Sequence, residues 1–174
     1  MDVGLVPRCS LESDNAAELR FTKICALIRS CEFGIHDLSY VQVDPRTRLP
    51  RFNMPLELGL FLGCTVFGGK PHARKNCLIF DRERYRYLKF ISDLNGQDIH
   101  AHGGQPKRAI SEVRDWLAGA SKGSNIPDGA VIWNRYKRFQ QALPKICKRI
   151  GKQPGKLIFV EFVDIIDKWR PTNP

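Results

Sequence analysis

The spacing of apolar and polar residues predicts several short strands. Apolar runs of strand length cover residues 32–38 and 75–81, and a briefer run covers residues 98–102. A further short strand is predicted at residues 3–7. Residues 84–92 have a mixed pattern, which we interpret as a short helix or an ordered loop.

Between and after these runs, the apolar residues recur at helical spacing. Asn53 is a favourable N-cap, and Pro55 would lie in the first helical turn, where its missing N–H costs little. Pro144 should end one helix and begin another. The predicted helices cover residue 14 or 15 to about 30, 54 to about 65, 106 to about 119, 129 to about 142, 144 to about 150, and about 160 to 169.

The order of elements predicts the fold class. Strands alternate with helices through residue 118, which favours an α/β fold with a parallel sheet covered by helices on both faces. The chain has 174 residues, enough for one domain with an appendage. We therefore predict an α/β domain over residues 1–120 and a C-terminal helical extension packed on it over residues 121–174. A linker rich in glycine and serine, residues 121–128, would join them.

The hydropathy of the chain and its first residues indicate where in the cell the protein is located. The most apolar stretch, residues 58–69, contains four glycines and is shorter than the roughly 20 residues that a membrane-spanning helix needs. The first residues lack the basic region of a signal peptide. We therefore expect a cytoplasmic protein that does not enter a membrane. Its six cysteines are expected to be reduced and buried.

Positive charge is concentrated near the C-terminus. The formal net charge is +10, and residues 129–160 contain no acidic side chain. We interpret this segment as a solvated helix face, and attraction of nucleic acid or a polyphosphate ligand is the alternative. No nucleic-acid-binding motif accompanies it. The basic residues are Arg135, Lys137, Arg138, Lys145, Lys148, Arg149, Lys152 and Lys156.

Two carboxylates are the candidate catalytic residues. Asp37 ends a predicted strand, and Glu57 lies near the start of the next helix, so both should face one crevice. Carboxylates at that place can stabilise the oxocarbenium-like transition state of glycosidic chemistry. Arg51 and Asn53 could hold phosphate or ribose hydroxyls. Ordinary helix capping and an ordinary turn are the structural alternatives.

Other polar residues should lie at the same edge of the sheet. Ser39 follows Asp37 directly, Asp81 ends the next strand, and His102 precedes a glycine pair. We list all three as candidate ligand-binding residues. A metal site at His100 and His102 is the weaker alternative, because no third ligand is evident, and we predict no metal.

The segment from residue 34 to residue 81 combines four features: the strand ending in Asp37, the helix opening Pro55-Leu56-Glu57-Leu58-Gly59-Leu60, the Gly69-Lys70-Pro71 after it, and the strand at 77–81. In these features it resembles the nucleoside 2-deoxyribosyltransferase-like family and its TIR-like relatives. The resemblance implies a flavodoxin-like (Rossmann-like) sheet. It also implies that Glu57 is the nucleophile on the sugar C1′, or the key residue of NAD glycohydrolysis, with NAD or another nucleotide as substrate and no cofactor.

The chain also resembles uncharacterised bacterial proteins, some of them connected with anti-phage defence. It shares their Ile35-His36-Asp37-Leu38-Ser39, Arg51-Phe52-Asn53-Met54-Pro55 and Gly96-Gln97-Asp98 motifs. Two features depart from the transferase pattern. Residues 50–54 replace the usual Asp-Gly-Thr, which argues against transfer between free nucleosides. The expected first strand is also missing, so a late start codon, a different closure of the sheet, or a strand from another chain in a homo-oligomer would account for it.

Three functions follow, in order of preference. The first is cleavage or transfer of a nucleotide N-glycosidic bond, with Glu57 and Asp37 as catalytic residues. The second is a sensor that binds a nucleotide signal in the same crevice without turnover. The third is a nucleic-acid or protein adaptor that uses the basic segment.

Overall fold

A computed structural model, which describes residues 4–121 and 125–172, contains a three-stranded parallel sheet. Its strands are β1 (Phe33–Asp37), β2 (Asn76–Asp81) and β3 (Ile99–Ala101), in the order β1-β2-β3. The α/β class and the three central strand predictions are confirmed. The prediction of a strand at residues 3–7 is wrong for residues 4–7, which form no strand. Residue 3 lies outside the described residues.

Five α-helices accompany the sheet in the described part of the chain. Most of them begin and end within a few residues of the predicted bounds, as expected for helix ends that fray. The first helix begins later than predicted, because Asn15 turns the chain locally by accepting a hydrogen bond from the backbone N–H of Ala17. The helices are α1 (Arg20–Ser30), α2 (Asn53–Phe67), α3 (Pro106–Ala120), α4 (Gly129–Arg149) and α5 (Phe159–Trp169).

Helices cover the two faces of the sheet. On one face α2 approaches β1 so closely that a Cβ added to Gly34 would lie 2.7 Å from the Phe61 ring. On the other face, the ring of Phe33 meets Trp116 of α3 edge-on, with centroids 5.7 Å apart. Since successive side chains of a strand alternate between faces, Gly34 and His36 face α2, whereas Phe33, Ile35 and Asp37 lie on the α3 side.

The core of the sheet lies on the α2 side. Leu58 of α2 is fully buried beside Ile79 of β2 and Leu38, which follows β1. Two single-turn 3₁₀ helices, Arg86–Lys89 and Ser92–Leu94, occupy the segment between β2 and β3, so the expectation of a short helix or ordered loop there is confirmed. They add Tyr87 and Leu94 to the same cluster, which links this segment to the sheet.

The C-terminal helices form a second apolar cluster. Phe139, Leu143 and Cys147 of α4 pack against Ile165 of α5. The expectation that Pro144 separates two helices is wrong, because α4 continues through it. Pro144 is exposed, and the packing of the residues on either side of it holds the helix together despite the missing backbone N–H.

The start of α4 is attached to α3. Gly129 lies against Ser111, and the Arg114 guanidinium donates hydrogen bonds to the carbonyls of Ile126 and Pro127, both at 3.1 Å. Residues 122–124 of the predicted linker lie outside the described residues. None of the helices in the described ranges is both long and apolar enough to cross a bilayer.

Candidate functional site

A cavity of about 270 Å³ lies at the carboxyl ends of the strands, and we call it the strand-end cavity. This is the edge at which parallel α/β sheets usually bind ligands. Residues that follow all three strands, together with the start of α3, line it. Its lining includes Asp37, Ser39, Tyr40, Arg82, His102 and Gly104.

Three of the predicted site residues meet in this cavity. Asp37 Oδ1 accepts hydrogen bonds from the Ser39 backbone N–H at 2.9 Å and from the Ser39 hydroxyl at 2.5 Å. His102 Nε2 lies 2.6 Å from Ser39 Oγ and 3.5 Å from Asp37 Oδ1. The Asp37 side chain remains 40% exposed, whereas that of His102 is only 12% exposed. The carboxylate is therefore held in place and still open to a ligand.

The hydrogen bonds of His102 assign its proton. The backbone N–H of Gly104 donates to His102 Nδ1 at 2.9 Å, so Nδ1 must carry the lone pair. In the neutral ring the proton is then on Nε2, which donates to Ser39, and Ser39 donates to Asp37. A histidine that activates a nucleophilic serine needs its free lone pair on the nitrogen facing that serine. The group therefore positions Asp37 and does not make Ser39 a nucleophile.

The other wall of the cavity is electropositive. The Arg82 guanidinium lies next to Gly104, whose added Cβ would be 3.6 Å from it. Gly103 and Gly104 both have positive φ values, +63° and +71°, a conformation that glycine adopts without strain. Their turn leads directly into α3, so the positive end of the α3 dipole and the Arg82 charge face the same space.

Asp81 has a different role from the one expected. It is completely buried, and Arg86 binds its Oδ1 through Nε at 2.8 Å. The same guanidinium donates to the carbonyls of Leu38 at 2.7 Å and Val41 at 3.2 Å. Asp81 lies on the α2 side and does not line the strand-end cavity. The pair ties the end of β2 to the turn that carries Ser39.

Glu57 lies elsewhere. It lines a separate cavity of about 260 Å³ between α1 and α2, with Asn53 and the apolar side chains of Phe21, Ile24 and Leu60. Burial raises the pKa of Glu57, and the nearby Arg20 charge partly offsets this effect. The expectation that Glu57 and Asp37 share one crevice is wrong, because α2 covers the face of β1 opposite to the Asp37 side chain.

Arg51 and Asn53 do not reach the strand-end cavity either. Arg51 is exposed in the loop before α2, where Val43 and Pro50 form a single antiparallel bridge. Asn53 is the first helical residue, and the N-cap is Phe52, which makes no side-chain cap hydrogen bond. The prediction of Asn53 as N-cap is therefore wrong by one position, and its amide side chain is left beside Glu57.

Two arginines were missed by the sequence interpretation. Arg82 contributes the positive charge of the cavity, and Arg86 holds its supporting loop. The position of Arg82, directly after β2, is the only sequence signal that indicated it, since residues after parallel strands gather at one edge. Among the described residues, no group of three or more His, Cys, Asp or Glu side chains is arranged to hold a metal ion.

No family model, curated protein or solved structure matches this chain.

Proposed function

We propose that the protein binds a nucleotide in the strand-end cavity and hydrolyses its N-glycosidic bond, with Asp37 as the catalytic carboxylate. The proposal rests on the hydrogen bonding of the Asp37 carboxylate. Its Oδ1 takes the contacts from Ser39 and His102, and its Oδ2 has no partner in the described part of the chain. A fixed anion with one free oxygen suits a reaction that develops positive charge on a sugar.

The reaction needs only water as co-substrate. The bond between C1′ and the base nitrogen breaks, and its electron pair leaves with the base. The hydroxyl of water bonds to C1′. The remaining proton of that water ends on the base released from a nucleoside monophosphate, whereas with NAD it goes to solvent, because nicotinamide leaves as a neutral base. Asp37 stabilises the cationic sugar while the bond breaks, and His102 and Ser39 keep its carboxylate in position.

The remaining walls fit the other parts of a nucleotide. Arg82 and the α3 N-terminus favour a phosphate group. Tyr40 is 78% exposed at the cavity and offers a ring on which a base can stack. NAD is one substrate with these parts, and no cofactor enters the scheme. The resemblance to the nucleoside 2-deoxyribosyltransferase-like family points to the same class of bond.

We also propose the flavodoxin-like form of the sheet, with a further strand beside β1. The support comes from the outer edge of β1. Glu32 accepts a hydrogen bond from Asn76 of β2, so the alternate residues Phe33, Ile35 and Asp37 direct their backbone groups away from β2. The Ile35 side chain is 49% exposed, which is unusual for the middle of a parallel strand.

Release of free base from NAD and from nucleoside monophosphates, followed by chromatography, tests the activity. The proposal expects Asp37→Asn to lower the rate by about 100-fold or more, as for the loss of one electrostatic stabiliser. Glu57→Gln is the matched carboxylate-to-amide control and should retain most of the rate. Loss of activity in Glu57→Gln with full activity in Asp37→Asn would transfer the catalytic role to Glu57, as the family resemblance implies.

A sensor that binds a nucleotide without turnover is the second candidate. It is favoured by the presence of a single carboxylate, that of Asp37, among the described residues that line the strand-end cavity. It is also favoured by a His102 ring that donates, and does not accept, at Nε2. Calorimetry with NAD and nucleoside monophosphates separates the two functions. Saturable binding that Arg82→Gln weakens, with no base released after prolonged incubation, supports the sensor.

A further inference from the structure

A second and larger cavity, of about 630 Å³, lies along the outer edge of β3, and we call it the β3-edge cavity. Its size falls within the range of sites that bind small molecules. Its walls come from the segment after β2, the loop before β3 and one face of α3. Its lining includes Arg84, Tyr85, Gln97, Asp98, His100 and Arg108.

We propose that the β3-edge cavity is a binding site for a nucleoside monophosphate, separate from the strand-end cavity. The two cavities share no lining residue. The proposal therefore stands whether or not the strand-end cavity hydrolyses nucleotides. Four features of the cavity match the parts of such a ligand.

The first feature is a pair of arginines for the phosphate. Arg108 extends from the first turn of α3 and reaches Glu112 only at 3.7 Å, a loose contact. Arg84 makes no side-chain hydrogen bond or ion pair within residues 4–121 and 125–172. A guanidinium group that is unpaired, or only loosely paired, within the protein can bind a phosphate through paired N–H donors.

The second feature is an acceptor for sugar hydroxyls. His100 Nδ1 lies 2.6 Å from Glu112 Oε2, and an ionised carboxylate can only accept, so Nδ1 carries the proton. In the neutral ring Nε2 then keeps its lone pair. Asp98 adds a carboxylate that bonds to no other described side chain. Both groups accept hydrogen bonds, so they favour a ligand that brings hydroxyl donors.

The third feature is a strained aromatic residue. Tyr85 has φ +61°, in the left-handed region that bulky residues rarely adopt, and its side chain is 68% exposed. Folding thus holds an exposed ring at the cavity at some cost in backbone energy. Strain of this kind is concentrated at ligand-binding sites. A ring in this place can stack on a nucleobase.

The fourth feature is the open strand edge. His102 donates its backbone N–H to Asp81 of β2, so the alternate residues Ile99 and Ala101 direct their backbone groups toward the outer edge. Both residues line the cavity. Their N–H and C=O groups, together with the Gln97 amide, offer donors and acceptors to the edge of a planar base.

Titration of the ¹⁵N-labelled protein with adenosine 5′-monophosphate tests the proposal, with backbone amide shifts as the readout. We expect saturable shifts at Gly96 and Ile99, and apparent affinity about tenfold or more lower in Arg84→Gln, as for loss of a charged contact. Asp37→Asn, in the strand-end cavity, should leave these shifts unchanged. Absent shifts, or shifts confined to Gly103 and its neighbours, would overturn the proposal.

Two further measurements separate a ligand role from a structural one. Tyr85→Gly removes the ring and relieves the left-handed strain, so we expect unchanged or higher thermal stability together with weaker adenosine monophosphate binding. A variant that binds as tightly as the wild type contradicts the role of the ring. Equal shifts with inorganic phosphate alone, or with adenosine alone, would show that the cavity does not recognise a nucleotide as a whole.

Discussion

Asp37 and Glu57 belong to one strand–loop–helix unit, yet their carboxylates lie on opposite faces of the sheet. Asp37 lies on the α3 side with Ser39 and His102, whereas Glu57 points into the groove between α1 and α2. The last side chain of a strand can point to either face of the sheet, and a shift of the strand register by one residue moves it to the opposite face. The two carboxylates therefore have different surroundings and different expected roles.

Replacing Glu57 by leucine should stabilise the protein. The groove around Glu57 contains Phe21, Ile24 and Leu60, and burial raises the pKa of the carboxyl, so its ionised form is disfavoured in the folded state. We expect Glu57→Leu to increase the free energy of unfolding at pH 7 by about 1 kcal/mol. The gain should shrink at lower pH as Glu57 becomes protonated in the wild type. Urea unfolding measures it, and the exposed Glu83→Leu is the control, with a change near zero.

The two histidines of the β3 end should carry their protons on opposite nitrogens. Gly104 donates to Nδ1 of His102, whereas Glu112 accepts from Nδ1 of His100. When both rings are neutral, ¹⁵N spectra should show a protonated Nε2 in His102 and a protonated Nδ1 in His100. The Glu112→Gln variant should alter only the His100 pattern. The same tautomer in both rings would contradict the assigned hydrogen bonds.

His36 should make the fold sensitive to mild acid. Its ring is buried against Phe61, neither ring nitrogen has a hydrogen-bond partner among the described residues, and burial lowers its pKa from 6.5 to about 4. The unfolded chain therefore takes up a proton between pH 6.5 and pH 4 that the folded chain does not. Stability should fall as the pH decreases through this window, by up to about 3 kcal/mol.

His36→Phe should remove this loss. The variant has no proton to bind at that position, so its urea midpoint should change less than that of the wild type between pH 7 and pH 4.5. His72→Phe, which keeps His36, is the control and should retain the acid sensitivity. An unchanged pH profile in His36→Phe would assign the sensitivity to other groups.

Breaking the pair between Arg86 and Asp81 should be costly. Asp81 is completely buried, and the Arg86 side chain is 16% exposed. We expect Arg86→Met to lower the free energy of unfolding by about 3 to 5 kcal/mol, because it leaves a buried charge without its partner. The double variant Arg86→Met/Asp81→Leu should recover part of the loss in urea unfolding. A double variant less stable than Arg86→Met alone would show that the charge of Asp81 has another stabilising partner.

Pro144 should be replaceable with a gain in stability. It is exposed within the continuous helix α4, where proline removes a backbone hydrogen bond. Pro144→Ala is expected to raise the free energy of unfolding by about 1 to 3 kcal/mol, as measured by thermal or urea unfolding. Lys145→Ala, at the next exposed position, should change it little. A destabilised Pro144→Ala would indicate that proline at this position stabilises the packing of α4 on α5.

The strands were predictable because apolar runs such as residues 77–80 have strand length and are interrupted by polar residues at both ends, here Asn76 and Asp81. The meeting of Asp37, Ser39 and His102 was partly predictable too, since residues after parallel strands gather at one edge. The face on which Asp37 lies was not predictable, because Phe33–Asp37 shows no clear alternation of apolar and polar residues.

Other features depend on packing that the sequence pattern does not encode. The continuity of α4 through Pro144 comes from Leu143 and Cys147 packing on α5, which outweighs the local preference of proline. Arg86 begins a single-turn 3₁₀ helix five residues after Asp81, and nothing in its spacing indicates that it binds carbonyls 45 and 48 residues earlier in the chain. Hydrogen bonds of this kind between distant segments can be identified only from the three-dimensional positions of the turns.

The Arg86 guanidinium also constrains how this protein can diverge. It fixes the end of β2 and the turn that carries Ser39 at once, so a substitution there changes both the stability of the sheet and the shape of the strand-end cavity. Residues 81 and 86 are therefore expected to change together in relatives, or not at all. Arg82 and Arg84 lie on the same short segment but do not hold the sheet and the turn together as Arg86 does. Substitutions at these two positions can therefore change ligand binding at either cavity without destabilising the fold.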